Sequence, residues 1–148
     1  MFAKTHLAIT IFFVLLFLPF VKNEFYFVLF SLVSTFLPDV DSKFSLVGKS
    51  KSFRIIQLFL KHRGILHSFI FMLSIALLLV ILFPVSTLPF ILGYGLHLIA
   101  DSFTPSGVKL FYPYEKKYFG FVKTGGRMET AVFVIFLLGD LFLLFRFV

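Results

Sequence analysis

His97 and Asp101 stand four residues apart in the stretch Gly93-Tyr94-Gly95-Leu96-His97-Leu98-Ile99-Ala100-Asp101, where an apolar run that began at Ser86 gives out. On a helix that spacing puts both side chains on one face. An imidazole nitrogen and a carboxylate oxygen placed together can be two ligands of one divalent ion, or one ligand and the group that orients it. Residues of the same chemistry recur along the chain: His6 after Thr5, Asp39 and Asp41 in Leu37-Pro38-Asp39-Val40-Asp41-Ser42, His62 and His67 in His62-Arg63-Gly64-Ile65-Leu66-His67-Ser68, and Glu129. His62 and His67 would be splayed by ~140° on a continuous helix, and Gly64 between them lets the backbone break so that both face one site. The chain has no cysteine, so a metal site must use histidine nitrogen and carboxylate oxygen. That donor set suits a divalent ion such as zinc, manganese, iron or magnesium, with zinc and manganese the leading choices.

His6, Asp39, His62, His67, His97 and Asp101 are therefore candidate metal ligands, and Asp41 and Glu129 candidate catalytic groups. Asp41 is placed to bridge ions or to take a proton from the attacking water. These candidates outnumber the three or four ligands of a single ion, which points to one or two ions; paired ions ~3.5–4 Å apart clamp the attacking and leaving oxygens of a phosphoryl displacement. Arg63, Lys109 and Arg127 are candidates for neutralising an anionic substrate.

The elements that must position these groups are apolar. Of 148 residues 59% are hydrophobic and 14% charged, whereas a soluble domain carries about 25% charged residues. Apolar runs cover Leu7–Val21, Phe25–Leu37, Ile65–Phe83, Ser86–Ile99 and Ala131–Val148, separated by Pro19, Lys22-Asn23-Glu24, Pro38, Pro84, Pro89 and Thr104-Pro105-Ser106-Gly107. Only the third and fifth approach the ~20 residues that cross a hydrocarbon core; the shorter ones cross by sinking their polar ends into protein. No small-residue cleavage site follows the first run, which reads as an anchor rather than a signal peptide. The expected fold is all-α: one membrane-embedded domain over residues 1–148, an integral bundle of about five hydrophobic helices.

Five crossings put Lys4 and both long connections on one side. The first connection holds Lys43, Lys49, Lys51, Arg54, Lys61 and Arg63, the second Lys109, Lys116, Lys117, Lys123 and Arg127, leaving Lys22 and Arg146 for the other side. The positive-inside rule then sets the N-terminus and both connections in the cytoplasm, in a multi-pass protein of the inner (cytoplasmic) cell membrane. All four histidines and four of the seven acids fall at that one level, while the outer halves of the runs carry almost no polar residue. Within the first connection, Phe53–Leu60 has the make-up of a short interfacial helix.

Each piece also has an ordinary structural reading. His97 with Asp101 can be a helix-packing pair, Asp39 and Asp41 a turn and a cap after Pro38, His6 an interfacial anchor, Glu129 a charge favoured at a helix N-terminus, and Arg63 and Arg127 topology markers. Taken together, and on one side of the membrane, ionisable groups at membrane depth are costly unless paired, hydrated or functional.

The ordered set Thr5-His6, Leu37 to Ser42, His62 to Ser68, Gly93-Tyr94 through His97 to Asp101, and Thr104 to Val108 resembles the membrane-bound metal-dependent hydrolase family, also described as LexA-regulated inner-membrane-associated hydrolases. The resemblance runs from residue 5 to about residue 129. It implies a multi-span helical protein and metal-dependent hydrolysis. A more distant similarity, by analogy, is to the helical zinc-dependent phospholipase C group, which also uses His-x-x-x-Asp. The expected function is hydrolysis of phosphoesters at or near the lipid headgroup layer, with the bilayer as partner and a phospholipid or other phosphoester as substrate. The alternatives are a divalent-ion or proton transporter, which needs polar groups along a path through the membrane, and a non-catalytic membrane protein whose basic loops hold anionic lipid. Nucleic acid is not an expected partner, because the basic loops fit the topology rule and accompany no nucleic-acid-binding motif.

Overall fold

A computed structural model describes residues 1–42, 45, 48–50, 54, 57 and 63–146. Within them the chain forms five α-helices: α1 Ala3–Phe17, α2 Glu24–Phe36, α3 Phe69–Leu82, α4 Pro84–Ser102 and α5 Arg127–Phe145. Short 3₁₀ turns occupy Leu18–Phe20, Pro38–Asp41 and Ile65–His67. The described residues hold no strand, only an isolated antiparallel bridge between Val108 and Tyr118.

Local chemistry explains the helix boundaries. Asn23 caps α2 by accepting from the Tyr26 amide at 3.3 Å, and Ser68 caps α3 by accepting from the Phe71 amide at 3.1 Å. Pro84 opens α4 at a position where its missing N–H costs nothing. Pro89, a break signal in the sequence, instead lies inside α4. The third apolar run also differs from expectation. Its helix starts at Phe69 rather than Ile65, because His67 belongs to a 3₁₀ turn and Ser68 is spent as the cap.

α4 is the central helix, packed on α2, α3 and α1, while α5 lies against α1. The α2–α4 crossing is tight. A Cβ on Gly93 would come within 2.1 Å of the Ser31 carbonyl oxygen, so two backbones touch where a side chain would hold them apart. Thr10 and Thr35 share a hydrogen bond of 2.9 Å between α1 and α2, and Tyr26 and Ser86 one of 2.5 Å between α2 and α4. Met72 and Ala76 of α3, Phe90, Tyr94 and Leu98 of α4, and Val108 and Leu110 beyond α4 form the core cluster. α1 and α5 run parallel: Thr5 meets Glu129 near their starts, and the rings of Phe12 and Phe136 meet edge-on at 5.4 Å further along.

Two stretches among the described residues are long and apolar enough to cross a membrane, Ala3–Phe20 and Arg127–Phe145; Phe69–Leu82 is apolar but shorter. Leu77 and Ile81 of α3 and Phe142 of α5 are exposed. The connection after α4 folds back on the bundle. Gly120 and Val122 donate to the carbonyls of Thr104 and Phe103, and the Phe69 amide donates to Leu110 at 2.7 Å. Val108 is fully buried by this packing. In the earlier connection, Gln57 donates to the carbonyls of Val40 at 2.9 Å and Gly48 at 2.8 Å. Arg54 and Gln57 are helical, and the rest of the expected interfacial helix lies outside the described residues.

Candidate metal centre

All five helices deliver polar side chains to one end of the bundle. His6 sits in the first turn of α1, Asp39 and Asp41 in the turn that Pro38 opens after α2, His67 in the turn before α3, and His97 and Asp101 in the last two turns of α4. Glu129 begins α5. The expected helical spacing holds for His97 and Asp101, which are both buried.

Two sets of ligand atoms come together. His6, His97 and Asp101 offer atoms within 4.8 Å of one another, and so do Asp39, His67 and His97. His97 belongs to both sets, so the five side chains are one cluster. The His6 and His97 rings stack with centroids 4.1 Å apart, and His67 meets His97 edge-on at 5.5 Å. His97 Nε2 lies 3.7 Å from Asp39 Oδ1, and His6 Nε2 lies 3.4 Å from Asp101 Oδ1. His67 stands between two carboxylates, with Nε2 3.8 Å from Asp39 Oδ1 and Nδ1 3.4 Å from Asp41 Oδ2. This gives Asp41 the position of an orienting group behind His67, leaving Nε2 to face the cluster.

Arg63 locks the frame. It has a left-handed backbone, with φ of 62°, which is strained for a residue with a side chain. The strain is held by a backbone bond from Arg63 N to Asp41 Oδ2 of 3.2 Å and by guanidinium bonds to Asp101 Oδ2 at 2.9 Å and the Gly107 carbonyl at 3.2 Å. The Met1 nitrogen also donates to Asp101 Oδ1 at 2.5 Å. Thr104 closes the end of α4, its hydroxyl donating to the Asp101 carbonyl at 2.7 Å. Tyr94 reaches from α4 to donate to the Leu66 carbonyl, which fixes the turn carrying His67.

The charges of the two turns are coupled. Burial pushes the His67 imidazole toward neutrality, but Asp39 and Asp41 beside it, with Asp101 behind them, raise it to about 9. Burial pushes the Asp39 carboxyl up, but the bond to His67 and the nearby His97 and His6 hold it below the ordinary carboxylate range.

Both ring nitrogens of His97 and Nδ1 of His6 are buried with no hydrogen-bond partner among the described residues. Buried polar atoms are normally bonded, and a divalent ion is the partner that histidine nitrogens beside carboxylates accept best. The residues present therefore fit a metal.

The other expected site residues are placed differently. Glu129 is buried and accepts from the Phe2 amide at 2.5 Å, the Gly125 amide at 2.6 Å and the Thr5 hydroxyl at 3.1 Å. It ties the start of α1 to the start of α5 and belongs to neither ligand set. Lys109 is paired with exposed Glu115 at 3.2 Å, and Arg127 is exposed at the head of α5. His62 lies outside the described residues. One group escaped the sequence reading. Asp140 is buried within α5, its Oδ1 without a hydrogen-bond partner among the described residues, and stands among apolar neighbours in sequence. The signal was there, since a lone carboxylate inside a spanning run marks function by default.

The model of the YdjM inner membrane protein family matches residues 1–146. No curated protein and no solved structure matches the chain. The family match covers nearly the whole sequence, and the chain belongs to the YdjM inner membrane protein family.

Proposed function

We propose that this YdjM-family chain is a membrane-bound, metal-dependent hydrolase that cleaves phosphoesters at the lipid headgroup layer. The observation that carries the reading is the double ligand set that shares His97, whose two buried ring nitrogens have no hydrogen-bond partner among the described residues. His6, His97 and Asp101 hold one position and Asp39 and His67 complete the other, for one or two divalent ions, zinc or manganese by donor type. When bound, such an ion supplies Lewis acidity and hydroxide at neutral pH. Asp41 accepts from His67 Nδ1 and keeps Nε2 turned inward. Arg63 holds Asp41 and Asp101 at fixed separation and sets a positive charge beside them, while exposed Arg127 offers further positive charge to a phosphate. The one-sided cation distribution supports five crossings with this end of the bundle in the cytoplasm.

Elemental analysis of the purified protein beside His97→Ala and Asp101→Asn variants tests the ligand assignment. Hydrolysis of phosphodiesters and phospholipids, with and without chelator, tests the reaction. Metal is expected in the parent and lost from both variants, with hydrolysis abolished by chelator and restored by zinc or manganese. Equal metal content in the three proteins overturns the assignment. One observation favours a second reading. Asp140, buried in α5, is the kind of intramembrane carboxylate that ion and proton pathways use. Under that reading Asp140→Asn abolishes cation flux into vesicles while hydrolysis is absent throughout.

A further inference from the structure

A cavity of about 500 Å³ runs between α1, α4 and α5, beside the histidine–aspartate cluster. Its helical wall is Ile9 and Phe13 of α1, Leu96 and Ile99 of α4, and Val132 and Phe136 of α5. Among the described residues no charged side chain lines it. The volume falls in the range of ligand pockets, ~300–1,000 Å³.

Three facts say what it holds. First, it lies between α1 and α5, which carry the two membrane-competent stretches, so its contents come from the bilayer. Second, residues that line it adjoin the polar cluster. Met1 lines the cavity and its nitrogen bonds Asp101, while Ala100 lines it next to Asp101 in sequence. Ile9 lies one helical turn below His6 on α1. Third, exposed cations stand next in sequence to two of its lining residues. Val122 and Met128 line it, and their sequence neighbours Lys123 and Arg127 are exposed. The one acid in that region, Glu129, is buried and already accepts three hydrogen bonds.

We propose that this cavity is the binding cleft for the hydrocarbon chain of an anionic amphiphile whose phosphate head is presented to the His6–His97–Asp101 face of the cluster. The cleft rests on the hydrolase reading for the fate of the head group, not for the seating of the chain. It makes the substrate a lipid and excludes a water-soluble phosphoester as the best-bound ligand.

The test uses the full chain in phosphatidylcholine vesicles with lysophosphatidic acid bearing a photoactivatable diazirine in its acyl chain. Crosslinks on Ile9, Phe13, Ile99 and Val132 are expected to exceed those on outward-facing Leu77 and Ile81 about tenfold, equivalent to ~1.4 kcal/mol. Val132→Phe, which fills the cleft from a helix that supplies no ligand, removes the excess; Val132→Ala, which enlarges it, keeps the excess. Unlabelled lysophosphatidic acid competes, whereas glycerol phosphate alone does not. Equal labelling of cleft and outer face, or an excess untouched by Val132→Phe in protein that unfolds like the parent, overturns the proposal. Metal content measured on the same samples separates the two ideas. Cleft labelling without metal leaves the cleft and removes the hydrolase, while metal with uniform labelling does the reverse.

Discussion

His67 sits between Asp39 on its Nε2 side and Asp41 on its Nδ1 side, and this makes the metal-free protein sensitive to alkali. Its imidazole, ordinarily near 6.5, is raised to about 9. A group raised on folding stabilises fully below its unfolded value and loses that contribution as pH climbs through its folded value. The window of loss is therefore 6.5 to about 9, and the amount is about 3 kcal/mol as an order of magnitude. Asp39, held low, works in the opposite direction: its contribution is present above 3.8 and lost as pH falls below. Chelator-treated protein should thus unfold at steadily lower temperature from pH 6.5 to 9, and His67→Gln should flatten that slope. An unfolding temperature that stays level across the window would remove the ion-pair account of His67. An ion entering the cluster must displace the same proton, so its uptake should release protons and strengthen with rising pH in that window.

Helix contacts translate these residue arrangements into a single site. α2 leads into the turn carrying Asp39 and Asp41, while α4 carries His97 and Asp101. Their separation is set where Gly93 meets the Ser31 carbonyl. Gly93→Ala places a methyl group 2.1 Å from that backbone oxygen, so the helices must splay, at a cost of about 1–3 kcal/mol. Metal content should fall with stability. Gly95→Ala is the control: its nearest neighbour is the flexible Met72 sulfur at 3.6 Å, and both stability and metal content should hold. If the two variants behave alike in thermal unfolding and elemental analysis, the close crossing does not set the site. The sequence announced much of this element-level order. Apolar runs located all five helices to within about four residues at each end, and the position of histidines and acids at run ends foretold that His6, Asp39, His67, His97 and Asp101 meet. Other features depend on details that run composition does not encode. Ile65 and Leu66 are as apolar as a helix, yet they form the 3₁₀ turn that aims His67. Arg63 owes its grip on Asp101 to a backbone with φ of 62°. Glu129 is claimed by amide donors from Phe2 and Gly125, which no helical spacing brings together.

The molecule as a whole is polarised. Its ligand cluster, the folded connection after α4 and the starts of α1 and α5 share one end, whereas the turn around Lys22 and the end of α5 at Arg146 lie at the other. Parallel α1 and α5, both of membrane-crossing length, put Lys22 and Arg146 on the same face if each crosses. The proposed orientation sets that face outside and the histidine–aspartate end inside, where inner-leaflet lipid would reach the proposed cleft between those two helices. The absence of cysteine makes single-cysteine labelling clean. Lys22→Cys, Lys116→Cys and Arg146→Cys each replace an exposed side chain and should leave the fold intact. A membrane-impermeant maleimide added to intact spheroplasts is expected to modify Lys22→Cys and Arg146→Cys and to reach Lys116→Cys only in inverted vesicles. The reverse pattern would put the cluster on the outer face, where the cytoplasmic lipid pool is out of reach. Labelling of Lys22→Cys and Lys116→Cys from the same side would mean that α2, α3 and α4, the helices between those two positions, cross an even number of times in total, which overturns the five-crossing topology.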